Sequence, residues 1–118
     1  MSLDSVLLEK SKAFAVRAVK LYQYLERRKK EYVLSKQVLR SGTSIGANVH
    51  EAIYGQSRSD FTAKMSIALK EAVETEYWLD LLSKTGYLSD RQYGSMREDV
   101  SELAKMLTST VKRMRKET

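Results

Sequence analysis

The chain has 118 residues, 42% hydrophobic and 31% charged, with a formal net charge of +6, no proline, no cysteine and one histidine. Without cysteine it has no disulfide framework, thiolate zinc site, iron–sulfur cluster or cysteine nucleophile. No apolar run approaches the roughly 18 residues that span a bilayer, and the N-terminus lacks the pattern of a secretory signal. We therefore expect one soluble domain over residues 1–118, located in the cytoplasm.

The composition favours helix along nearly the whole chain, because its common residues lose little side-chain freedom in a helix and no proline interrupts the backbone. Apolar and small residues three and four apart predict a first helix from about Ser5 to Arg28, which the charged run 26–31 ends. The core stripe of this helix is Leu7, Ser11, Phe14, Ala18, Leu21 and Leu25.

The same spacing predicts a second helix from about Val33 to Tyr54. Two glycines four residues apart, Gly42 and Gly46, weaken this helix but indicate that another helix approaches it closely. Its core stripe is Leu34, Val38, Ser41, Ile45, Val49 and Ala52.

A turn at 55–60 precedes a third helix, with Ser57 as its N-cap and Ser59 as the competing cap. Gly86 closes this helix. Its stripe is Phe61, Met65, Ala68, Ala72, Thr75, Leu79 and Leu82.

A capping box formed by Ser89 and Gln92 begins a fourth helix. Its stripe is Met96, Val100, Leu103, Leu107, Thr110 and Met114, widened by Ala104 and Val111. Because short connections make neighbouring helices antiparallel, the predicted fold class is all-α, an antiparallel up-down-up-down four-helix bundle.

Positive charge is concentrated in the first 40 and the last 28 residues, whereas the middle of the chain is acidic. The predicted topology gathers one group of cations at one end of the bundle: Arg27, Arg28, Lys29, Lys30, Lys36 and Arg40. It gathers a second group at the other end, near Lys10, Lys12 and Arg58: Lys112, Arg113, Arg115 and Lys116. Such clusters neutralise phosphates, so we predict that these two groups bind nucleic acid. The alternative is that they only complement helix dipoles and keep the ends soluble.

Polar residues on the inner side of the second helix predict a structural network that fixes helix register, with a binding site as the alternative. The members of this network are Arg40, Ser44, Asn48, Glu51 and, from the third helix, Glu74. A di-iron site is excluded because it requires two histidines and only His50 is present. Carboxylate pairs such as Glu71 and Glu74 are interpreted as solvated or arginine-bound. We therefore predict no catalytic residue, metal, cofactor or small-molecule substrate, and no enzymatic activity.

Aromatic residues outside the predicted stripes are too numerous for one narrow bundle seam. They are Tyr22, Tyr24, Tyr32, Tyr54, Tyr77, Trp78, Tyr87 and Tyr93. We expect them to form a second apolar face that is buried by self-association. The alternative is that several cap the bundle ends, with their apolar rings inward and their hydroxyl groups in water.

The stretch RSGTSIGANVHEA, Arg40–Ala52, resembles the signature of the 23S rRNA intervening-sequence protein family, also called the four-helix-bundle protein family. The stretch FTAKMSIALKEAVETEYWLDLLSKTGYL, Phe61–Leu88, is similar to the third helix and following turn of the same family. The matching characteristic residues are Arg40, Ser44, Ile45, Asn48, Glu51 and Glu74.

This resemblance implies a left-handed four-helix bundle that assembles as a homopentamer, with a positively charged surface and no known enzymatic activity. Some members are encoded inside insertions in ribosomal RNA genes. The similar accessory protein of diversity-generating retroelements binds nucleic acid and a reverse transcriptase. We therefore predict a non-enzymatic, ring-forming bundle that binds nucleic acid, structured RNA in particular, through its basic ends. The alternative is a protein-interaction scaffold with no nucleic-acid role.

Overall fold

Four long helices form nearly all of the computed structural model, which describes residues 2–116. They are α1 (Leu3–Arg27), α2 (Leu34–Ile53), α3 (Arg58–Lys84) and α4 (Asp90–Lys116). Each helix packs against the next along the chain, and α4 returns to contact α1. This arrangement confirms the predicted antiparallel up-down-up-down four-helix bundle. None of the four described helices carries an apolar stretch long enough to cross a membrane.

The hydrophobic core runs through the bundle as one cluster to which all four helices contribute. The residues buried on α1 are those of the predicted stripe, and most stripe positions of the other helices are buried as well. Leu34 and Phe61 are only half-buried because they lie near the first turns of their helices, where neighbouring helices cover them less. The α2 stripe is wider than predicted and also buries Ser35, Gly42 and Asn48.

Two of the helix starts form as the sequence predicts. The Ser57 hydroxyl accepts a hydrogen bond from the Asp60 amide at 3.0 Å, so Ser57 and not Ser59 is the N-cap of α3. At α4 the Ser89 hydroxyl accepts from the Gln92 amide at 3.1 Å, and the Gln92 side chain accepts from the Ser89 amide at 2.9 Å. These reciprocal bonds confirm the capping box.

The start of α2 is capped in a way that the sequence analysis missed. Val33 occupies the N-cap position and makes no side-chain cap bond. The Glu31 carboxylate instead accepts hydrogen bonds from the amides of Val33, Leu34 and Ser35 at 2.8–3.1 Å, and Glu31 is only 7% exposed. A carboxylate in this place satisfies otherwise unpaired amides and neutralises the positive end of the helix dipole. Glu31 therefore anchors the α1–α2 connection to α2.

The two α2 glycines lie where α1 and α2 approach most closely. A Cβ at position 42 would lie 2.8 Å from the Cβ of Ala18, and one at position 46 would lie 3.1 Å from the Ser11 carbonyl oxygen. Both distances are shorter than ordinary van der Waals contact. The close helix approach predicted from Gly42 and Gly46 is confirmed.

Candidate nucleic-acid interface

The up-and-down topology places the two predicted basic groups at opposite ends of the bundle. The α1–α2 connection, residues 28–33, lies at the same end as the α3–α4 connection, residues 85–89. The last turns of α4 lie at the opposite end, with the α2–α3 connection. We call the exposed residues at the first end the loop-end cluster: Arg27, Arg28, Lys29, Lys30 and Lys36. We call those at the second end the tail-end cluster: Lys112, Arg113, Arg115 and Lys116.

The backbone of the α1–α2 connection is held by specific contacts. Lys30 adopts a left-handed conformation with φ 55°, and the following amide, that of Glu31, donates to the Leu25 carbonyl at 3.0 Å. Beyond it the Glu31 carboxylate is bonded to the first turn of α2. The connection is therefore fixed to both helices that it joins.

The two acids within the stretch of chain that carries most of the loop-end cluster, Glu26 and Glu31, are engaged by other groups. Glu31 caps α2, while Glu26 accepts a hydrogen bond of 2.6 Å from the Tyr22 hydroxyl. This hydrogen bond raises the pKa of Tyr22, and partial burial and the charge of Glu26 add to the effect. Within residues 2–116 none of the loop-end cations forms an ion pair. The loop-end cluster therefore consists of five exposed cations that form no ion pair within the described residues.

The tail-end cluster occupies the last two turns of α4, where Met114 faces the core between exposed cations. Cations in this position also complement the negative end of the helix dipole. Lys10, predicted to join this group, instead pairs with Glu102 on α4 at 2.6 Å, and this contact raises the pKa of Lys10. Arg58 is the first residue of α3.

Arg40 lies apart from the loop-end cluster, nearly two turns inside α2. Its guanidinium donates to Glu71 at 3.0 Å and also to Glu74, both on α3. The indole of Trp78 donates to the same Glu74 carboxylate at 3.0 Å. The Trp78 hydrogen bond, followed by the contact with Arg40, holds the pKa of Glu74 below its usual value, while burial acts in the opposite direction. Arg40 thus joins α2 to α3, and its charge is already balanced by two carboxylates.

The other residues predicted for a polar network form separate contacts. Asn48 donates to the carbonyl and the hydroxyl of Ser44, one turn earlier on the same helix, at 2.9 and 3.1 Å. Glu51 pairs with Lys64 on α3 at 3.2 Å. The five predicted residues, four on α2 and Glu74 on α3, therefore form three separate groups, because asparagine and serine one turn apart satisfy each other locally.

A buried hydrogen bond between hydroxyl groups was not predicted. Thr75 on α3 donates to the Ser41 hydroxyl on α2 at 2.9 Å, and both side chains are fully buried. Both residues lie on predicted core stripes, which is the signal that the sequence offers, but the stripes alone do not pair Thr75 with Ser41. This bond and the contacts of Arg40 and Glu51 all join α2 to α3.

The aromatic residues outside the predicted stripes are either half-buried or exposed. Tyr22 is half-buried on α1. Tyr24, Trp78, Tyr87 and Tyr93 are also half-buried and pack against the core. Their rings reach over the core from its margin, as in the alternative interpretation. The exposed aromatic residues are Tyr32, Tyr54 and Tyr77.

A groove of about 800 Å³ lies between α1 and α2. Its lining combines small and apolar side chains with four ionisable ones, Glu9, Lys12, His50 and Glu51. His50 is exposed and stacks on Tyr54, with 4.7 Å between the ring centroids. Among residues 2–116 no group of three or more histidine, aspartate or glutamate side chains is placed to hold a metal ion.

The geometry defines a helical-bundle protein whose distinctive surface is a cluster of cations on a fixed connection. The chain belongs to the 23S rRNA-intervening sequence protein family, whose sequence profile matches residues 4–109. This match confirms the resemblance found in the sequence.

A crystal structure from Bacteroides thetaiotaomicron VPI-5482 is similar, with a TM-score of 0.92 and 55% sequence identity over 94% of this chain and 99% of that chain. That protein is described as one with unknown function from the S23 ribosomal protein family. No curated protein matches the chain.

Proposed function

We propose that this protein is a non-enzymatic, cytoplasmic, oligomeric bundle that binds structured RNA electrostatically through its basic ends. The observation that carries the proposal is the loop-end cluster, whose five exposed cations have no ion-pair partner within residues 2–116. The family name refers to 23S rRNA, and the Bacteroides relative is assigned to a ribosomal protein family, which supports RNA as the polyanion.

The binding mechanism follows from the charge arrangement. Lysine and arginine side chains that contact phosphates displace condensed counterions, and the entropy of counterion release drives association. Because no motif for reading base edges is present in the sequence, the contacts are with phosphates and the binding is salt-sensitive. A cluster that neutralises about five phosphates loses affinity by roughly a hundredfold to five hundredfold between about 50 and 200 mM salt.

Reversing two loop-end charges tests this proposal. We expect Arg28→Glu with Lys29→Glu to weaken binding of a structured RNA by about tenfold or more and to reduce the salt dependence, because phosphate contacts are lost. Fluorescence anisotropy over a series of salt concentrations measures both effects. The control is Arg97→Glu with Lys105→Glu, which makes the same change in net charge on the exposed face of α4.

An equal loss of affinity in both double variants would show that the effect comes from net charge alone. That result would contradict a binding site at the loop end. A wild-type protein that does not bind RNA at low salt would contradict the RNA proposal altogether. That second result would favour the alternative, a protein-interaction scaffold. The exposed apolar side chains on α3, which include Val73 and Tyr77, are the surface that such a scaffold would use.

Assembly of several copies is part of the proposal. Exposed apolar side chains lie on α1 and on α3: Val16, Val19, Ile67, Val73 and Tyr77. Burying them between copies removes apolar surface from water. In a homopentamer, the state that the family resemblance implies, each copy adds its basic ends to the assembly and so raises avidity for a polyanion.

Sedimentation tests the assembly. We expect the protein to sediment with five times the mass of one chain, and Val73→Glu to produce smaller species because a charge on the apolar face is costly to bury. Ser109→Glu is the control. Ser109 is exposed on α4, and among the described residues this helix has no exposed large hydrophobic side chain. A monomeric wild-type protein would contradict the assembly proposal.

A further inference from the structure

The loop end carries an exposed aromatic residue as well as cations. Tyr32 is 50% exposed and the adjacent Val33 is 70% exposed, in the same connection as Arg28, Lys29 and Lys30. Of the three exposed tyrosines, Tyr32 is the one surrounded in the chain by basic residues.

The ring of Tyr32 is also free of aromatic partners, unlike the other exposed tyrosines. Tyr54 stacks on His50, and Tyr77 packs edge-on against Trp78 with 5.0 Å between the ring centroids. Within residues 2–116 no aromatic ring stacks on Tyr32. An exposed ring on which no other ring stacks is available for stacking with a planar ligand.

The residues around Tyr32 are held in place before any ligand binds. On one side the Glu31 side chain is buried and bonded to α2, and on the other side α2 itself begins at Leu34. Tyr32 is therefore attached to a backbone that has little freedom to rearrange. Binding to such a surface requires less ordering than binding to a mobile loop.

The left-handed position next to Glu31 is occupied by a lysine, a residue type that rarely adopts this conformation. After α3 the left-handed position is occupied by Gly86, with φ 85°, which has no Cβ to strain. Lysine at position 30 has a higher backbone energy in this conformation than glycine would have. Its side chain places a cation two residues from Tyr32 in the chain. Such strain is a feature of binding sites.

We infer that the connection Arg28–Val33 binds an unpaired nucleotide of RNA, with the base stacked on the ring of Tyr32 and the adjacent phosphates held by Arg28, Lys29 and Lys30. This inference rests on the proposed function and specifies which part of a structured RNA the loop end contacts. A base in a loop or bulge exposes its face for stacking, whereas bases inside a duplex are already stacked on each other. Aromatic side chains beside cations are the usual means of holding unpaired nucleotides.

The test compares two RNA probes with equal numbers of phosphates, a hairpin with an unpaired loop and a fully paired duplex. We expect Tyr32→Ala to weaken binding of the hairpin by about tenfold, the effect typical of removing one stacked base, and to leave duplex binding unchanged. Tyr32→Phe retains the ring and should bind the hairpin like the wild type. Tyr54→Ala is the control, because Tyr54 is 69% exposed at the opposite end of the bundle.

The outcomes separate this inference from the function on which it rests. Suppose that the wild type binds both RNAs in a salt-dependent way. If Tyr32→Ala then binds the hairpin as tightly as the wild type, or weakens the binding of both RNAs equally, the stacking inference is overturned and the electrostatic proposal stands. If the wild type binds neither RNA at low salt, the proposed function fails first. Competition by polyglutamate as strong as that by the hairpin would also overturn the inference, because it would indicate an acidic protein surface as the partner.

Discussion

Gly42→Ala is expected to lower the free energy of unfolding by about 2 kcal/mol, whereas Gly94→Ala is expected to raise it by about 0.5–1 kcal/mol. Alanine is the better helix former at both positions, so the difference comes from space. A Cβ on residue 42 would lie 2.8 Å from the Cβ of Ala18, which is fixed to the α1 backbone and cannot rotate away. A Cβ on residue 94, inside α4, would have no atom within 4 Å.

Urea unfolding followed by circular dichroism measures both changes in free energy. The same experiment on Ala18→Gly combined with Gly42→Ala provides a test of the cause. Removing the Cβ of Ala18 should restore part of the stability that Gly42→Ala removes, beyond the sum of the two single effects. Stabilisation by Gly42→Ala alone would show that α1 and α2 separate at little cost, contrary to this explanation.

Glu31→Ala is expected to lower the free energy of unfolding by about 2–3 kcal/mol, a large effect for a residue in a surface connection. The carboxylate accepts hydrogen bonds from three amides at the start of α2, and removing it leaves these amides without their partner. The substitution also removes a negative charge from the positive end of the helix dipole. Both losses act in the folded state.

The matched variant for this prediction is Glu26→Ala, which removes a half-buried glutamate five residues before the buried Glu31. Its carboxylate accepts from the Tyr22 hydroxyl, so we expect a loss of less than about 1 kcal/mol. Glu31→Gln, which keeps an acceptor oxygen but not the charge, should lie between the two. Thermal unfolding at neutral pH ranks the three variants, and equal losses from Glu26→Ala and Glu31→Ala would contradict the capping role.

The fold could be predicted from the sequence because its signals are local and agree with one another. The three- and four-residue spacing of the α1 stripe identified the buried face of that helix. Serine is a residue type that favours helix starts, and Ser57 and Ser89 both cap helices. Such features depend on neighbours within one or two turns, which the sequence displays directly.

The geometry of the loop end could not be predicted in the same way. Glu31 lies two residues before the N-cap of α2, outside the positions at which capping residues are expected. In the sequence, Glu31 is one of several charged residues in the run that ends the first helix. It caps α2 because its long side chain reaches the amides of the first turn of that helix. Lysine is also an unusual residue for a left-handed backbone, so nothing in the sequence indicated Lys30.

Contacts between helices were the other part that sequence alone left undetermined. Arg40 was assigned both to a basic end and to a polar network, and the choice depends on how α2 is aligned with α3. In the structure that alignment places Glu71 and Glu74 beside the guanidinium. The same holds for Tyr24 and Trp78, since whether an aromatic side chain packs on the core or points into water depends on the helices that lie beside it.

The length of the bundle separates the two basic ends. The molecule is 46 Å along its longest axis, several times the Debye length of about 8 Å at physiological ionic strength. The loop-end and tail-end clusters are therefore screened from each other, and each attracts its own ion atmosphere. Under the proposed function, a polyanion shorter than this axis would engage one end of a subunit, whereas a longer one would reach both ends and form its second contact at high effective concentration. The reach of an RNA, and not only its charge, would then determine how tightly one subunit holds it.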